Sequence, residues 1–260
     1  MTYNLTIDQG NSAAKMALWQ GNAMVASRIE TSLTPEALAH FLAPYGGKVN
    51  QAIYCSVASR GTELMAMLSS FASHAQRLNA ETPLPIVIEE YNRNSLGTDR
   101  VAAAAGAHAL YPGEMLLVVD AGTAVTYDAV SPDGHFLGGN IAPGMNMRLE
   151  ALHRFTARLP RVKVPREIPS GRLLGNDTAS AMILGSVYGI VGAITYYKSQ
   201  LAPDTRVVLT GGWASELSRL CLSDVSVEPD LVSIGLNRIL ATATAEAVDN
   251  HNQKTLCKEK

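Results

Sequence analysis

The sequence repeats one order of predicted elements, and this internal duplication constrains the fold more than any other feature. In each half, three closely spaced strands come first, and helices then alternate with further strands. The first strand of each half ends in a similar hairpin, Asp-Gln-Gly-Asn-Ser at residues 8–12 and Asp-Ala-Gly-Thr-Ala at residues 120–124, about 112 residues later. We therefore expect an α/β protein made of two similar halves.

The repeat also defines the expected organisation of the chain. We assign residues 1–113 to the first half, residues 114–249 to the second and the polar residues 250–260 to a frayed tail. Alternation and turn signals predict strands at residues 4–8, 13–19, 23–29, 51–55, 85–89, 115–120, 125–130, 135–141, 206–210 and 225–228. Helices are predicted from residue 34, at 63–72, 98–110 and 146–155, from 177, at 214–220 and from 231.

Charge and cysteine usage exclude several classes of protein. The 260 residues include 21 Lys and Arg against 23 Asp and Glu, without a basic cluster, so nucleic acid is not an expected partner. The three cysteines, Cys55, Cys221 and Cys257, are isolated, which is typical of a reducing compartment and argues against a disulfide framework. Because the N-terminus lacks a basic region followed by an apolar run, we expect a cytoplasmic protein.

Residues 179–197 carry no charge and are almost long enough to cross a bilayer. The stretch also contains three glycines, two serines, a threonine and three tyrosines, which lower its hydrophobicity. We interpret it as a buried or interface helix rather than a membrane span.

The two Asp-x-Gly hairpins are the first candidates for chemistry. A glycine allows backbone amides to approach an anion closely, small polar side chains add donors, and an aspartate can hold a metal ion that bridges phosphates. One such hairpin is an ordinary tight turn more often than a site. Two copies at equivalent positions of a duplicated fold favour binding of a polyphosphate, held from both sides in a cleft between the halves.

Four segments together resemble the type III pantothenate kinases, within the actin/hexokinase/Hsp70 superfamily of phosphotransferases. They are the two hairpins, with the second extended to Thr126, the Gly-Thr-Asp-Arg segment at residues 97–100 and the Gly-Gly-Asn-Ile-Ala-Pro-Gly segment at residues 138–144. Their order and spacing fit almost the whole chain. The resemblance implies a duplicated ribonuclease-H-like fold, as in the actin-like ATPases, with the active-site cleft between two similar halves. One departure is Gln9, where the family more often has a small or apolar residue.

The resemblance implies a substrate site formed by Tyr91, Gly97, Thr98, Asp99, Arg100 and Thr178. Asp99 would accept the proton of the attacking hydroxyl, and Arg100 would bind the substrate carboxylate. Alternative readings remain: helix-dipole stabilisation for Asp99, a surface ion pair for Arg100 and a partly buried aromatic for Tyr91.

The implied ATP site consists of Asp8, Gln9, Gly10, Asn11, Ser12, Lys15 and Thr123. Asp8 would act through Mg²⁺ on the nucleotide, and Asp120 would bind a monovalent cation, K⁺ or NH₄⁺. The alternatives are a solvent-facing Lys15 and an Asp120 that caps its own turn. By resemblance Thr178 belongs to the pantothenate site of a neighbouring subunit, which implies a homodimer; its alternative role is that of a helix cap.

The function expected from the resemblance is ATP-dependent phosphorylation of pantothenate to 4'-phosphopantothenate, the first step of coenzyme A biosynthesis. Two alternatives stay open. One is another small-molecule kinase of the actin-like superfamily, and the other is a non-catalytic regulator of the same fold. P-loop and dinucleotide-binding signatures are both missing from the sequence.

Overall fold

The computed structural model describes residues 2–10, 13–56, 61–165, 168, 171–221 and 225–256. The chain divides into two compact units, one formed by Met1–Leu110 together with Leu231–Lys260 and the other by Tyr111–Asp230. The first unit is therefore built from two separate stretches of the sequence.

The described part of the first unit is built on one five-stranded sheet. Its elements are β1 (Asn4–Gln9), β2 (Ala14–Gln20), β3 (Ala23–Glu30), α1 (Pro35–Leu42), a 3₁₀ turn (Ala43–Tyr45), β4 (Val49–Ser56), α2 (Gly61–Phe71), β5 (Ala72–Arg77), α3 (Thr98–Leu110) and α7 (Leu231–Leu256). The strand order is β3-β2-β1-β4-β5. Strands β1, β2 and β3 form an antiparallel meander, while β4 pairs parallel with β1 and β5 pairs parallel with β4. Leu5 and Ile7 of β1 pack with α1 and α2 in one core, while α7 contacts β1, β2 and β4.

The second unit repeats this topology in the residues described. It contains β6 (Leu116–Ala121), β7 (Ala124–Val130), β8 (Phe136–Pro143), α4 (Met145–Phe155), α5 (Thr178–Gln200), β9 (Arg206–Thr210), α6 (Ala214–Ser218) and β10 (Val225–Val227). The strand order is β8-β7-β6-β9-β10, again with an antiparallel meander followed by two parallel strands. The shared order and directions confirm the predicted duplicated ribonuclease-H-like fold.

The fifth strand of the first unit is not where the sequence predicted it. The apolar run at residues 85–89 does not form a strand; β5 is instead Ala72–Arg77, which follows α2 directly. Two prolines, Pro83 and Pro85, lie at the start of the apolar run and disfavour a ladder. Three of the six residues of the edge strand β5 are exposed and one is buried; the strand carries polar side chains and lacks a clear hydrophobic alternation.

Helix α7 differs from the expectation in its packing partner and in its length. The sequence analysis placed residues up to 249 in the second half and a frayed tail after them, whereas α7 packs in the first unit and runs to Leu256. It crosses α3 closely: a Cβ on Gly235 would overlap the carbonyl oxygen of Ala102, and one on Gly106 would overlap that of Leu231. This crossing joins residues far apart in the chain, so a local pattern does not reveal it.

Helix α5 is, among the described helices, the one whose length and composition would allow it to cross a bilayer. Its buried residues, which include Val187, Ile190 and Ile194, pack in the core of the second unit with Leu117 and Val119 of β6. The sequence analysis expected a buried or interface helix, and this packing places its buried face in the core of the second unit.

Candidate active site

The two units place an aspartate at the same point of the central strand. Asp8 is the fifth of the six residues of β1, and Asp120 is the fifth of the six residues of β6. Carboxyl ends of neighbouring parallel strands meet at one edge of a sheet, where open α/β proteins bind ligands. Each aspartate therefore lies at the edge where the fold is expected to bind a ligand.

In the first unit, Asp8 is flanked by β2 on one side and β4 on the other. Its register partners are Lys15 across the hairpin and Cys55 on the parallel strand. The Cys55 thiol donates a hydrogen bond to Asp8 Oδ1, with an Sγ–Oδ1 distance of 3.4 Å. Lys15, which is partly buried, is thereby placed beside the Asp8 strand rather than on a fully exposed face.

Burial raises the pKa of the Asp8 carboxyl, and the negative charge of Asp99 raises it further. The hydrogen bond from Cys55 and the positive charge of Lys15 act in the opposite direction without cancelling the effect of burial. The structure thus brings Asp8 and Asp99, which are 91 positions apart in the sequence, close enough to interact electrostatically.

Cys55 is a part of this cluster that the sequence analysis did not assign to the site. The residue is 1% exposed, and burial, followed by the charges of Asp8 and Asp99, raises the pKa of its thiol well above the usual range. The sequence pattern could have indicated this, because Cys55 is the next-to-last residue of β4, just as Asp8 is the next-to-last residue of β1.

The start of α3 carries Asp99 and Arg100 in its first turn. A Cβ on Gly97 would lie 2.5 Å from Asp99 Oδ1, so the glycine leaves the space that this carboxylate occupies. Arg100 is 4% exposed, which excludes the surface ion pair considered above. Its Nη1 donates to the Tyr91 hydroxyl at 3.4 Å, and its guanidinium lies 5.5 Å from the centre of the Tyr91 ring. Thr98, the first residue of α3, is partly exposed beside them.

The remaining residues of the first hairpin are less informative. Asn11 and Ser12 lie outside the described residues. Gln9 alternates with Asp8 and faces α2, where it helps line a cavity of about 460 Å³ together with Leu64 and Met67. The Gln9 side chain therefore lies on the face of the sheet opposite Asp8, and its amide donates to the carbonyl oxygen of Gly10.

In the second unit, three sequence segments converge on Asp120. Gly211, with φ +86°, packs so closely that a Cβ there would overlap Asp120 Oδ1. Trp213 N donates to Ala121 O at 3.1 Å, and Gly144 N donates to Thr123 O at 3.1 Å. The turn after β9 and the glycine after β8 are therefore built around the second hairpin, and Thr123 is exposed at its tip.

The candidate cation ligands among the described residues are the carboxylates of the two hairpins. Within the described part of the chain, no group of three or more His, Cys, Asp or Glu side chains is placed to hold a metal ion. Asp8 and Asp120 each offer a carboxylate, the hard oxygen ligand that Mg²⁺ and K⁺ accept. Mg²⁺ commonly keeps several waters and binds through one or two carboxylates plus substrate phosphates. The residues fit a cation that is bound together with a nucleotide.

Thr178 is the first residue of α5 and is exposed. The cap of this helix is Asp177, whose carboxylate accepts from Ser180 N at 2.8 Å in a reciprocal capping box. Hydrogen bonds donated by the Ser180 backbone and side chain lower the pKa of the Asp177 carboxyl. The capping role that was the alternative for Thr178 thus belongs to Asp177.

Two ribonuclease-H-like units, each with an Asp-x-Gly hairpin at the end of its central strand, define a member of the actin-like class of kinases and ATPases. The model of the type III pantothenate kinase family matches residues 4–200, and the chain belongs to this family.

Curated relatives support the assignment over most of the chain. A type III pantothenate kinase of Porphyromonas gingivalis is 43% identical over 243 residues, which cover 92% of this chain and 98% of the relative. One from Bacteroides fragilis is 37% identical over 240 residues, which cover 91% of this chain and 97% of the relative.

Solved structures of lower identity support the fold alone. A Campylobacter jejuni protein solved as a Baf family transcriptional activator has a TM-score of 0.61 at 22% identity, covering 91% of this chain and 97% of that one. The activator of 2-hydroxyisocaproyl-CoA dehydratase from Clostridium difficile, solved with ADPNP bound, has a TM-score of 0.54 at 11% identity. The match covers 96% of this chain and 98% of that one.

Proposed function

We propose that this protein transfers the γ-phosphate of ATP to pantothenate and forms 4'-phosphopantothenate, the first step of coenzyme A biosynthesis. The observation that carries the proposal is the cluster of Asp8, Asp99, Arg100 and Tyr91 beside the first hairpin, in a chain of this family. The cluster combines a carboxylate able to accept a proton with a cation able to bind a carboxylate substrate.

Asp99 accepts the proton of the attacking hydroxyl in this proposal. Phosphoryl transfer depends mainly on positioning and on stabilisation of charge, so a carboxylate is a sufficient base. Arg100 binds the pantothenate carboxylate through its planar guanidinium. Tyr91 orients that guanidinium by a hydrogen bond and by ring contact, while Gly97 and Thr98 shape the start of α3 around the substrate.

The nucleotide site is proposed to use the residues of both hairpins, namely Asp8, Gln9, Gly10, Asn11, Ser12, Lys15 and Thr123. Asp8 is the residue proposed to hold Mg²⁺, which would neutralise phosphate charge when bound with ATP. Asp120 is proposed to bind a monovalent cation, K⁺ or NH₄⁺. The Gln9 side chain faces the opposite side of the sheet, so we propose that its backbone, rather than its amide group, serves the phosphates.

The pantothenate site is proposed to be completed by Thr178 of a second copy of the chain, in a cytoplasmic homodimer. The exposure of Thr178 and the capping of α5 by Asp177 support this, because the Thr178 hydroxyl is left for another role. Sizing the purified protein tests the dimer. Thr178→Ala is expected to raise the KM for pantothenate and to leave the KM for ATP unchanged; a monomeric active enzyme would contradict this proposal.

The activity is tested by incubating the purified protein with ATP, Mg²⁺, pantothenate and either K⁺ or NH₄⁺, and measuring phosphopantothenate. Turnover that falls when Na⁺ replaces K⁺ is the expected result. A panel of sugars and small carboxylates as acceptors separates this function from that of another kinase of the class. Absence of turnover with pantothenate would refute the proposal, and absence with every acceptor would favour a non-catalytic regulator.

A further inference from the structure

We propose that Cys55 is a positioning residue that orients the Asp8 carboxylate for nucleotide binding. The proposal rests on the function proposed above, and it assigns a role in the site to a residue type that is usually inert when buried. The first observation is the hydrogen bond from the Cys55 thiol to Asp8 Oδ1 at 3.4 Å, formed between neighbouring parallel strands.

Such a contact is needed because the Asp8 carboxylate can rotate and lies among charged groups. The terminal torsion of an aspartate side chain has a broad energy profile, so the carboxylate rotates unless a partner holds it. The negative charge of Asp99 on α3 also acts on Asp8, and Lys15 acts on it from β2. The thiol of Cys55, which is 1% exposed, binds one oxygen of the carboxylate and thereby selects one orientation.

The duplicated unit supplies an independent observation. Asp120 has Thr210 as its partner on the parallel strand β9, just as Asp8 has Cys55 as its partner on β4. Thr210 is 2% exposed, so both positions hold a small, buried side chain that carries a polar hydrogen. A thiol or a hydroxyl group therefore occupies the register position beside each aspartate, and in the first unit the thiol donates to the carboxylate.

The experiment compares Cys55→Ala and Cys55→Val, which both remove the donor, with Cys55→Ser, which keeps it. Ala is smaller than Cys and Val is larger, so an effect that both variants share reports the lost donor rather than a cavity or overpacking. Cys221→Ala is the control, since Cys221 is a partly buried free cysteine outside the proposed site. For each variant, kcat, the KM for ATP and the KM for pantothenate are measured at saturating Mg²⁺, with thermal unfolding in parallel.

Loss of the donor is expected to raise the KM for ATP about five- to tenfold, the size expected for a hydrogen bond to a charged group from a weak donor. The KM for pantothenate is expected to stay within about twofold of the parent, and Cys55→Ser is expected to restore the KM for ATP. A purely structural role would lower thermal stability without this selective change. Equal KM values for ATP in the parent, Ala and Val proteins would overturn the proposal.

The role of Cys55 can also be tested if the proposed function is wrong. If the parent protein does not phosphorylate pantothenate, calorimetric titration with ATP and Mg²⁺ still decides the role of Cys55. A five- to tenfold weaker affinity in Cys55→Val than in the parent and in Cys55→Ser supports it, and equal affinity, or no ATP binding by any of these proteins, overturns it.

Discussion

At the scale of single residues, burial and, to a smaller extent, the charge of Asp99 make ionisation of Asp8 less favourable and raise its pKa. The fold therefore retains an arrangement that is unfavourable for stability. Strained or desolvated groups of this kind are common where a ligand later compensates them, and their replacement often stabilises the protein at the expense of function.

Asp8→Asn is expected to stabilise the folded protein at neutral pH and to weaken ATP binding. The folded pKa of Asp8 lies above its unfolded value of 3.8, so the folded state binds this proton more tightly than the unfolded state. The stability due to Asp8 is therefore fully present below pH 3.8 and is lost as the pH rises through the folded pKa. Thermal unfolding of both proteins from pH 4 to pH 8 measures the difference, and a lower midpoint for Asp8→Asn at pH 7 would contradict it.

Asp99→Asn is expected to lower kcat at least about 10²-fold, the usual effect of removing a general base. The fold should stay intact, because Asn keeps the shape of the side chain and an Oδ1 atom that can accept from Arg100 N. Steady-state kinetics together with circular dichroism check both statements. A variant that is folded and has near-normal kcat would remove Asp99 from the role of base.

At the scale of elements, the position of α3, which carries Asp99 and Arg100, depends on how α7 crosses it. Gly106 and Gly235 allow the two backbones to approach, and most of the buried residues of α3 are alanines. The crossing therefore holds α3, and with it Asp99 and Arg100, against the sheet.

Gly235→Ala is expected to destabilise the protein by about 1–3 kcal/mol or more, because the added methyl group would overlap the carbonyl oxygen of Ala102. Gly192→Ala on α5 is the matched control, since nothing lies within 4 Å of a Cβ at that position. The control is expected to be neutral or stabilising, by up to about 1 kcal/mol. Urea unfolding measures both, and similar values for the two variants would show that the crossing is not tightly packed.

At the scale of the whole molecule, the first unit is completed only when the chain returns at Leu231. Folding of this unit therefore requires contacts between residues more than 120 positions apart, such as those of α3 with α7. Contacts of this separation carry a large loop-closure cost and are expected to form late.

A chain that ends at Asp230 is expected to lose the cooperative fold of the first unit. Removal of α7 would expose the buried face of α3 and the strand residues that α7 covers, an apolar surface that favours aggregation. A chain that ends at Leu256 is the control and should unfold at the same temperature as the full chain. Solubility and thermal unfolding compare the three proteins; a soluble, cooperatively unfolding chain ending at Asp230 would contradict the expectation.

Local signals in the sequence predicted the duplication, most of the elements, and the residues of the two hairpins and of the start of α3 that form the candidate site. Strand β9 has the predicted bounds, and α3 begins at Thr98 and ends at Leu110 as predicted, because alternation and helix-start residues act within a few positions of the chain. The family followed from four short motifs for the same reason.

Only the tertiary structure decided which distant residues meet. It showed that α7 completes the first unit, that the polar edge strand β5 replaces the apolar run at residues 85–89, that Arg100 is buried and that Cys55 binds Asp8. Each of these depends on packing or register between segments far apart in the chain. The pattern of residues within one segment reports which face is apolar, but not which partner will cover it.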